Sequence, residues 1–185
     1  MKCLFAILFL MSSVQAQAST TTKYKTGRDD GHLQFLAIGR PAMIRIKGES
    51  PGPQGQIDVD GGKAHGEFTL LLSDLNTGID LRDEHMKKKY LEIDKNPRAI
   101  LTITSLNLPA SDAGSDLPFG GDLTLHGVTK KIEGHFSYET SQGTKKSQVE
   151  FKIHLSDFNI AIPNYAGMTV ADEVQVEVRT NLRPE

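Results

Sequence analysis

Six histidines are the first residues in this 185-residue chain whose chemistry could matter: His32, His65, His85, His126, His135 and His154. Imidazoles make a metal face when two sit at i,i+2 on a strand or i,i+4 on a helix, and no pair here has either spacing. His65 and His154 alternate with apolar neighbours, which puts them on a solvent face. The only cysteine is Cys3, near the N-terminus. Thiolate catalysis, disulfides and cysteine-based zinc sites are therefore excluded from everything after it. No metal is expected.

Catalytic constellations are also missing. There is no Gly-x-Ser-x-Gly elbow, no His-Glu-x-x-His pair and no glycine-rich phosphate cradle between a strand and a helix. Gly120-Gly121 reads as a turn, with Asp116 and Asp122 as solvated carboxylates beside it. Tyr138 and His135 alone do not make an acid–base set, so no catalytic residue and no cofactor are expected, and the chain is read as a non-enzyme. An enzyme acting on lipids would need clustered acid and base groups in a pocket. The densest polar segment is Thr77-Gly78 to Arg82-Asp83. Arg82 could anchor an anionic head group through its planar fork of donors. The favoured alternative has Arg82 and Asp83 tying the start of a helix to the sheet by paired hydrogen bonds.

The elements that must position these residues are mostly strands. Phe68, Leu70 and Leu72 alternate with Glu67, Thr69 and Leu71. Val149, Phe151, Ile153 and Leu155 alternate with polar residues, as do Val174, Val176 and Val178. One dry and one wet face is the pattern of antiparallel sheet. Asp60-Gly61-Gly62, His126-Gly127-Val128 and Ser141-Gln142-Gly143 supply the turns, joining strands over 56–60 and 63–72, 122–126 and 130–138, and the last of these to 147–155. Strands joined this way form a meander, and about eight close into an up-and-down barrel. Asp80 is placed to cap a short helix over 81–91, with Met86 and Tyr90 on one face and Pro97 beyond its end. Asn107 to Pro118 reads as a surface loop.

The N-terminal stretch reads separately. Lys2, the apolar run Leu4 to Met11 and Ala16-Gln17-Ala18 have the charge, length and cleavage pattern of a signal peptide over 1–18. The run is too short to span a bilayer, which needs about 20 residues. Residues 19–31 are read as a flexible lead-in, and 32–185 as one barrel domain. Without Lys2 the chain carries 20 basic and 23 acidic side chains, a net charge of −3. That balance argues against a nucleic-acid partner. Lys87-Lys88-Lys89 reads as a solvated helix face.

Four elements, in order, resemble the YceI-like family of polyisoprenoid-binding proteins. They are Asn76-Thr77-Gly78 with Leu81 to Met86; Tyr90 to Ile93 followed by Pro97 and Leu101; Gly121 to Lys130; and Ala171 to Val176. The likeness runs from about Ile44 to Leu182. The family's pattern has a glycine where this chain has Asn159. The resemblance implies an all-β, eight-stranded antiparallel up-and-down, lipocalin-like barrel with a short helix, in a periplasmic or secreted bacterial protein. It implies that the barrel holds an isoprenoid or other long-chain lipid.

The inward set read from alternation is Phe68, Leu70, Leu72, Leu101, Ile103, Leu123, Leu125, Phe136, Phe151, Ile153 and Val176. These residues would line the ligand site, although alternation alone equally fits a packed core with no cavity. An alternative function, motivated by the association of such proteins with cytochromes, is a scaffold or interaction module for a membrane redox protein. A homodimer is the other protein partner considered.

Overall fold

The structure is a computed structural model that describes residues 21–40, 44–165 and 168–185. The expected signal peptide, 1–18, lies outside the described residues. The strands are β1 (Thr22–Thr26), β2 (Gly31–Arg40), β3 (Arg45–Pro51), β4 (Gln54–Asp60), β5 (Lys63–Leu71), β6 (Arg98–Leu106), β7 (Ala113–Leu125), β8 (Val128–Ser141), β9 (Thr144–His154), β10 (Asn164–Tyr165) and β11 (Met168–Pro184). All pairings are antiparallel, and β1 meets both β4 and β11.

That double pairing closes the sheet. β1 and β2 run one after the other along β11, and β3 and β4 run back along them, with kinks at Gly27–Asp30 and Gly52-Pro53. The ring is therefore eight chain passes: β1/β2, β3/β4, β5, β6, β7, β8, β9 and β11. This is the expected up-and-down barrel, and among the described residues closure leaves edge unpaired at β3, which meets the next pass only through Glu49 and Asn76, and at the start of β7, before Phe119. Two hairpin turns explain why glycine is needed: His126-Gly127 and Gln142-Gly143 have φ of 51° and 73°, and 50° and 79°, the paired positive values of a type I′ turn.

The helix follows β5. Asp80–Glu84 is α1, and His85–Tyr90 continues it as a wider π-helical turn, closed by the Leu91 N–H donating to the Met86 carbonyl at 2.9 Å. It lies across one end of the barrel, here called the mouth. The hairpin turns at 60–63 and 141–144 mark the opposite end, the base. Among the described residues no helix is long and apolar enough to cross a membrane.

Three expectations are corrected. Of the lead-in read over 19–31, the described part is not loose: Thr22–Thr26 form β1, paired with β4 and β11, and Arg28–Asp30 a 3-10 turn. The loop read over 107–118 ends early, because β7 begins at Ala113. The β7–β8 register shifts between Gly114 and Leu117, and Asp116 has φ 55°, so a bulge hides the alternation. Pro118 is tolerated because β6 pairs with β7 only from Phe119 onward, leaving the proline on a free edge. Finally, Asp80 does not cap the helix: Ile79 is the capping residue, with no side-chain bond, and the acidic group engaged at the helix start is Asp83.

Candidate functional site

The upper half of the barrel encloses a cavity of about 510 Å³. One wall is built from two cross-strand rows. Phe151, Val176 and Phe35 are register partners on β9, β11 and β2, and Ile153, Val174, Ala37 and Ile46 continue the next row toward the mouth. Gly48 faces Phe35 across the β2–β3 pair, and a Cβ there would come within 2.2 Å of the Phe35 ring. The glycine thus lets the ring lie flat in the wall. Leu70, Leu72, Ala99, Leu123 and Leu125 form the opposite wall, and Met86, Tyr90 and Leu91 close the side under the helix. The lining is overwhelmingly aliphatic and aromatic. Its polar side chains, Thr77, Arg82, His85, Lys89, Asn164 and Thr169, come from the helix, its approach and the paired strands β10 and β11.

Of the eleven residues picked from alternation, seven line this cavity: Leu70, Leu72, Leu123, Leu125, Phe151, Ile153 and Val176. Phe68, Leu101, Ile103 and Phe136 do not. They sit lower in the barrel, in the packed core beneath it. The wall residues Phe35, Ala37 and Ile46 were missed, although Leu33, Phe35, Ala37 and Gly39 show the same alternation. Met86 and Tyr90 do share the cavity-facing side of the helix.

Arg82 has two partners in one residue. Its Nε donates to the Thr77 Oγ1 and its Nη2 to the Thr77 carbonyl, each at 2.7 Å. Asp83 accepts from the Thr77 N–H at 2.9 Å and from the Thr77 hydroxyl. The two charged residues clamp the helix start by paired hydrogen bonds, as expected, but the bonds reach Thr77 in the segment leaving β5 and not a strand of the sheet. Beyond the helix, His126 places Nδ1 3.0 Å from the Phe158 carbonyl and Nε2 3.0 Å from the Glu92 carboxylate. This ties the β7–β8 turn to the helix exit and to the 3-10 turn at Leu155–Phe158. Hydrogen bonds from Lys95 and then from His126 hold the Glu92 carboxyl below the usual carboxylate range.

The other candidate chemistry is dispersed. His135 is exposed and paired with Asp116 at 2.7 Å, whereas Tyr138 is buried on the inner face. His32 and His154 pair with Glu49 and Asp172 at 3.7 and 3.6 Å. Among the described residues no three histidine, cysteine, aspartate or glutamate side chains gather closely enough to hold a metal ion.

The profile of the YceI-like domain matches residues 14–182. The chain belongs to the YceI-like family. Among curated relatives, the YceI protein of an Escherichia coli strain is 34% identical over 99 residues, and that of Salmonella arizonae 32%. Each match covers 50% of this chain and 50% of the relative, so the chain spans about half the length of the curated relatives it matches. The fold is shared with Burkholderia cenocepacia BcnA (TM-score 0.68, 14% identity, covering 85% of this chain and 98% of that one). It is shared too with a domain of Saccharophagus degradans described as polyisoprenoid binding and implicated in plant cell wall breakdown (TM-score 0.66, 16% identity, 88% and 98% covered). In this YceI-like chain Asn159, where the family pattern carries glycine, has φ 56° and ψ 26°. Asparagine is among the few other residues that accept that left-handed conformation, so the turn survives the exchange.

Proposed function

We propose that this chain is an exported lipid-binding protein that holds the tail of an isoprenoid or similar long-chain amphiphile in the upper half of its barrel. The observation that carries this reading is the cavity itself: about 510 Å³ of space with a wall of leucine, isoleucine, valine, phenylalanine and alanine, and polar groups at the helix side and the mouth. That volume lies within the ~300–1,000 Å³ common to small-molecule sites. Such a wall has no chemistry to offer a reacting group, and it matches a hydrocarbon chain. Burying 20–25 heavy atoms at roughly 0.3 kcal/mol each gives about 6–8 kcal/mol. This is micromolar affinity, firm enough to carry and weak enough to release. The polyisoprenoid-binding description of the Saccharophagus degradans domain, which shares the fold, supports the same ligand class.

Native mass spectrometry of the protein purified from its own host tests the reading. The expected result is a mass excess equal to one prenyl or alkyl amphiphile, lost on organic extraction. A bare chain that also fails to bind any of a series of prenyl and alkyl alcohols would sink it.

A further inference from the structure

Among the described residues only three large hydrophobic side chains are exposed, Ile44 at 41%, Ile79 at 53% and Leu81 at 53%, and all three line the mouth of the one apolar cavity. Scattered exposed aliphatics are ordinary, but their convergence on a single rim is not. They come from separate segments: Ile44 precedes β3, Ile79 is the extended residue before α1, and Leu81 lies in its first turn. The Arg82–Thr77–Asp83 clamp holds the helix start, so Ile79 and Leu81 are presented by a fixed backbone.

Charge around this rim is uneven. Lys87, Lys88 and Lys89 end the helix, with Lys89 itself at the mouth, and Arg45 is exposed beside Ile44. The facing acids are largely engaged. Asp83 bonds to Thr77, and Glu84 pairs with Lys88 at 3.1 Å, which leaves Asp80 as the exposed carboxylate of the helix start. Long basic side chains around an aliphatic tip are suited to an interface where tips enter the acyl region and ammonium groups stay among head groups.

We propose that the cavity mouth is a docking surface for an anionic lipid bilayer, with Ile44, Ile79 and Leu81 entering the interface and Lys87 and Lys89 contacting acidic head groups. The inference rests on the carrier reading for its purpose: an amphiphile could pass between bilayer and cavity without exposing its tail to water. A bilayer is favoured over a protein partner because the apolar residues ring an opening rather than form a continuous patch, and because the surrounding charge is basic on a chain whose net charge is −2.

The test is flotation of the full mature protein with vesicles of phosphatidylglycerol and phosphatidylcholine, against phosphatidylcholine alone. Binding of farnesol in solution is measured in parallel. Wild type is expected to float with the anionic vesicles and to be released by salt. Ile79→Ser with Leu81→Ser should weaken vesicle binding at least tenfold at unchanged melting temperature, a larger loss than the same variant shows for farnesol in solution. Lys87→Gln with Lys89→Gln should weaken it by about fivefold per lysine. Failure of wild type to float, or flotation indifferent to both double variants, overturns the docking surface and leaves the carrier reading intact if farnesol still binds. Flotation without farnesol binding upholds the surface and removes the carrier reading. Concentration-dependent dimerisation without vesicles, abolished by Ile79→Ser with Leu81→Ser, assigns the rim to a second copy and overturns the bilayer.

Discussion

The two halves of the barrel obey the same alternation and reach opposite outcomes. In the base the inward positions are filled, and several polar groups there are paired with one another. The Thr26 and Thr180 hydroxyls bond each other, and Ser147 donates to the Thr180 carbonyl at 3.1 Å. The Tyr138 hydroxyl lies 3.0 Å from the carbonyls of Pro109 and Ser111. Lys145 reaches inward, donates to Thr140, and sits 4.5 Å from the Tyr138 ring centre and 5.4 Å from that of Tyr24. Burial pushes the Lys145 ammonium down from its ordinary pKa and the Tyr24 phenol up. In the upper half the corresponding positions carry Ala37, Gly39, Gly48 and Ala99, and space remains. The base has inward glycines too, at Gly66, Gly121 and Gly134, but there the side chains of Ile57, Leu101 and Phe119 occupy the space a Cβ would take; the period-two pattern does not report which gaps are filled.

Five substitutions press on that contrast. The largest effect should come from Phe136→Ala in the base, which removes a buried ring packed 5.9 Å from Tyr138. Chemical denaturation should show a loss of about 3–5 kcal/mol, with prenyl-alcohol affinity little changed in the protein that remains folded. Leu70→Lys in the upper half should do the reverse. It sets an ammonium against the ligand at a cost of several kcal/mol, so titration calorimetry should show binding abolished, while Thr69→Lys, outside the cavity, binds normally. If Phe136→Ala and Leu70→Lys change affinity equally, the division into a holding half and a filled half is wrong. Arg82→Ala should lower stability by about 1–3 kcal/mol, since it strips the Thr77 carbonyl of its donor. A binding loss above tenfold at unchanged melting temperature would instead make Arg82 a head-group anchor. Tyr138→Phe should cost about 1 kcal/mol and leave binding alone.

A pH prediction is smaller still. The Glu92 carboxyl is held below its ordinary range by Lys95 and His126, so its contribution is present above that range and is lost as pH falls through the folded value. Melting temperature should decline between about pH 5 and about pH 3, and Glu92→Gln should flatten the part of that decline owed to the contact at the mouth.

The barrel was legible because most strands alternate cleanly and three short turns carry their glycines. What escaped did so for local reasons. β1 offers only Tyr24 and Thr26 as an inward pair, too few to stand out from a threonine-rich stretch. The bulge at Asp116 breaks the period at the start of β7. Ile79 takes the capping position because Asp83, four residues later, satisfies the Thr77 N–H from the other side. Within the candidate site, alternation assigns a face but no height. Phe68 and Leu70 share a face of β5, yet only Leu70 stands above the filled layer, and that depends on register with β6 and on what other strands place opposite.

The closing seam has a consequence for how the chain acquires its shape. Thr26 and Thr180, 154 positions apart, touch across it, and Lys23 accepts from the Glu185 N–H at 3.0 Å. A chain emerging N-terminus first can pair one edge of β1 with β4 early, but the other edge must wait for β11, more than 150 positions later. Such distant partners impose slow closure, and until β11 has met β1 and β2 the cavity in the upper half lacks a finished wall on that side.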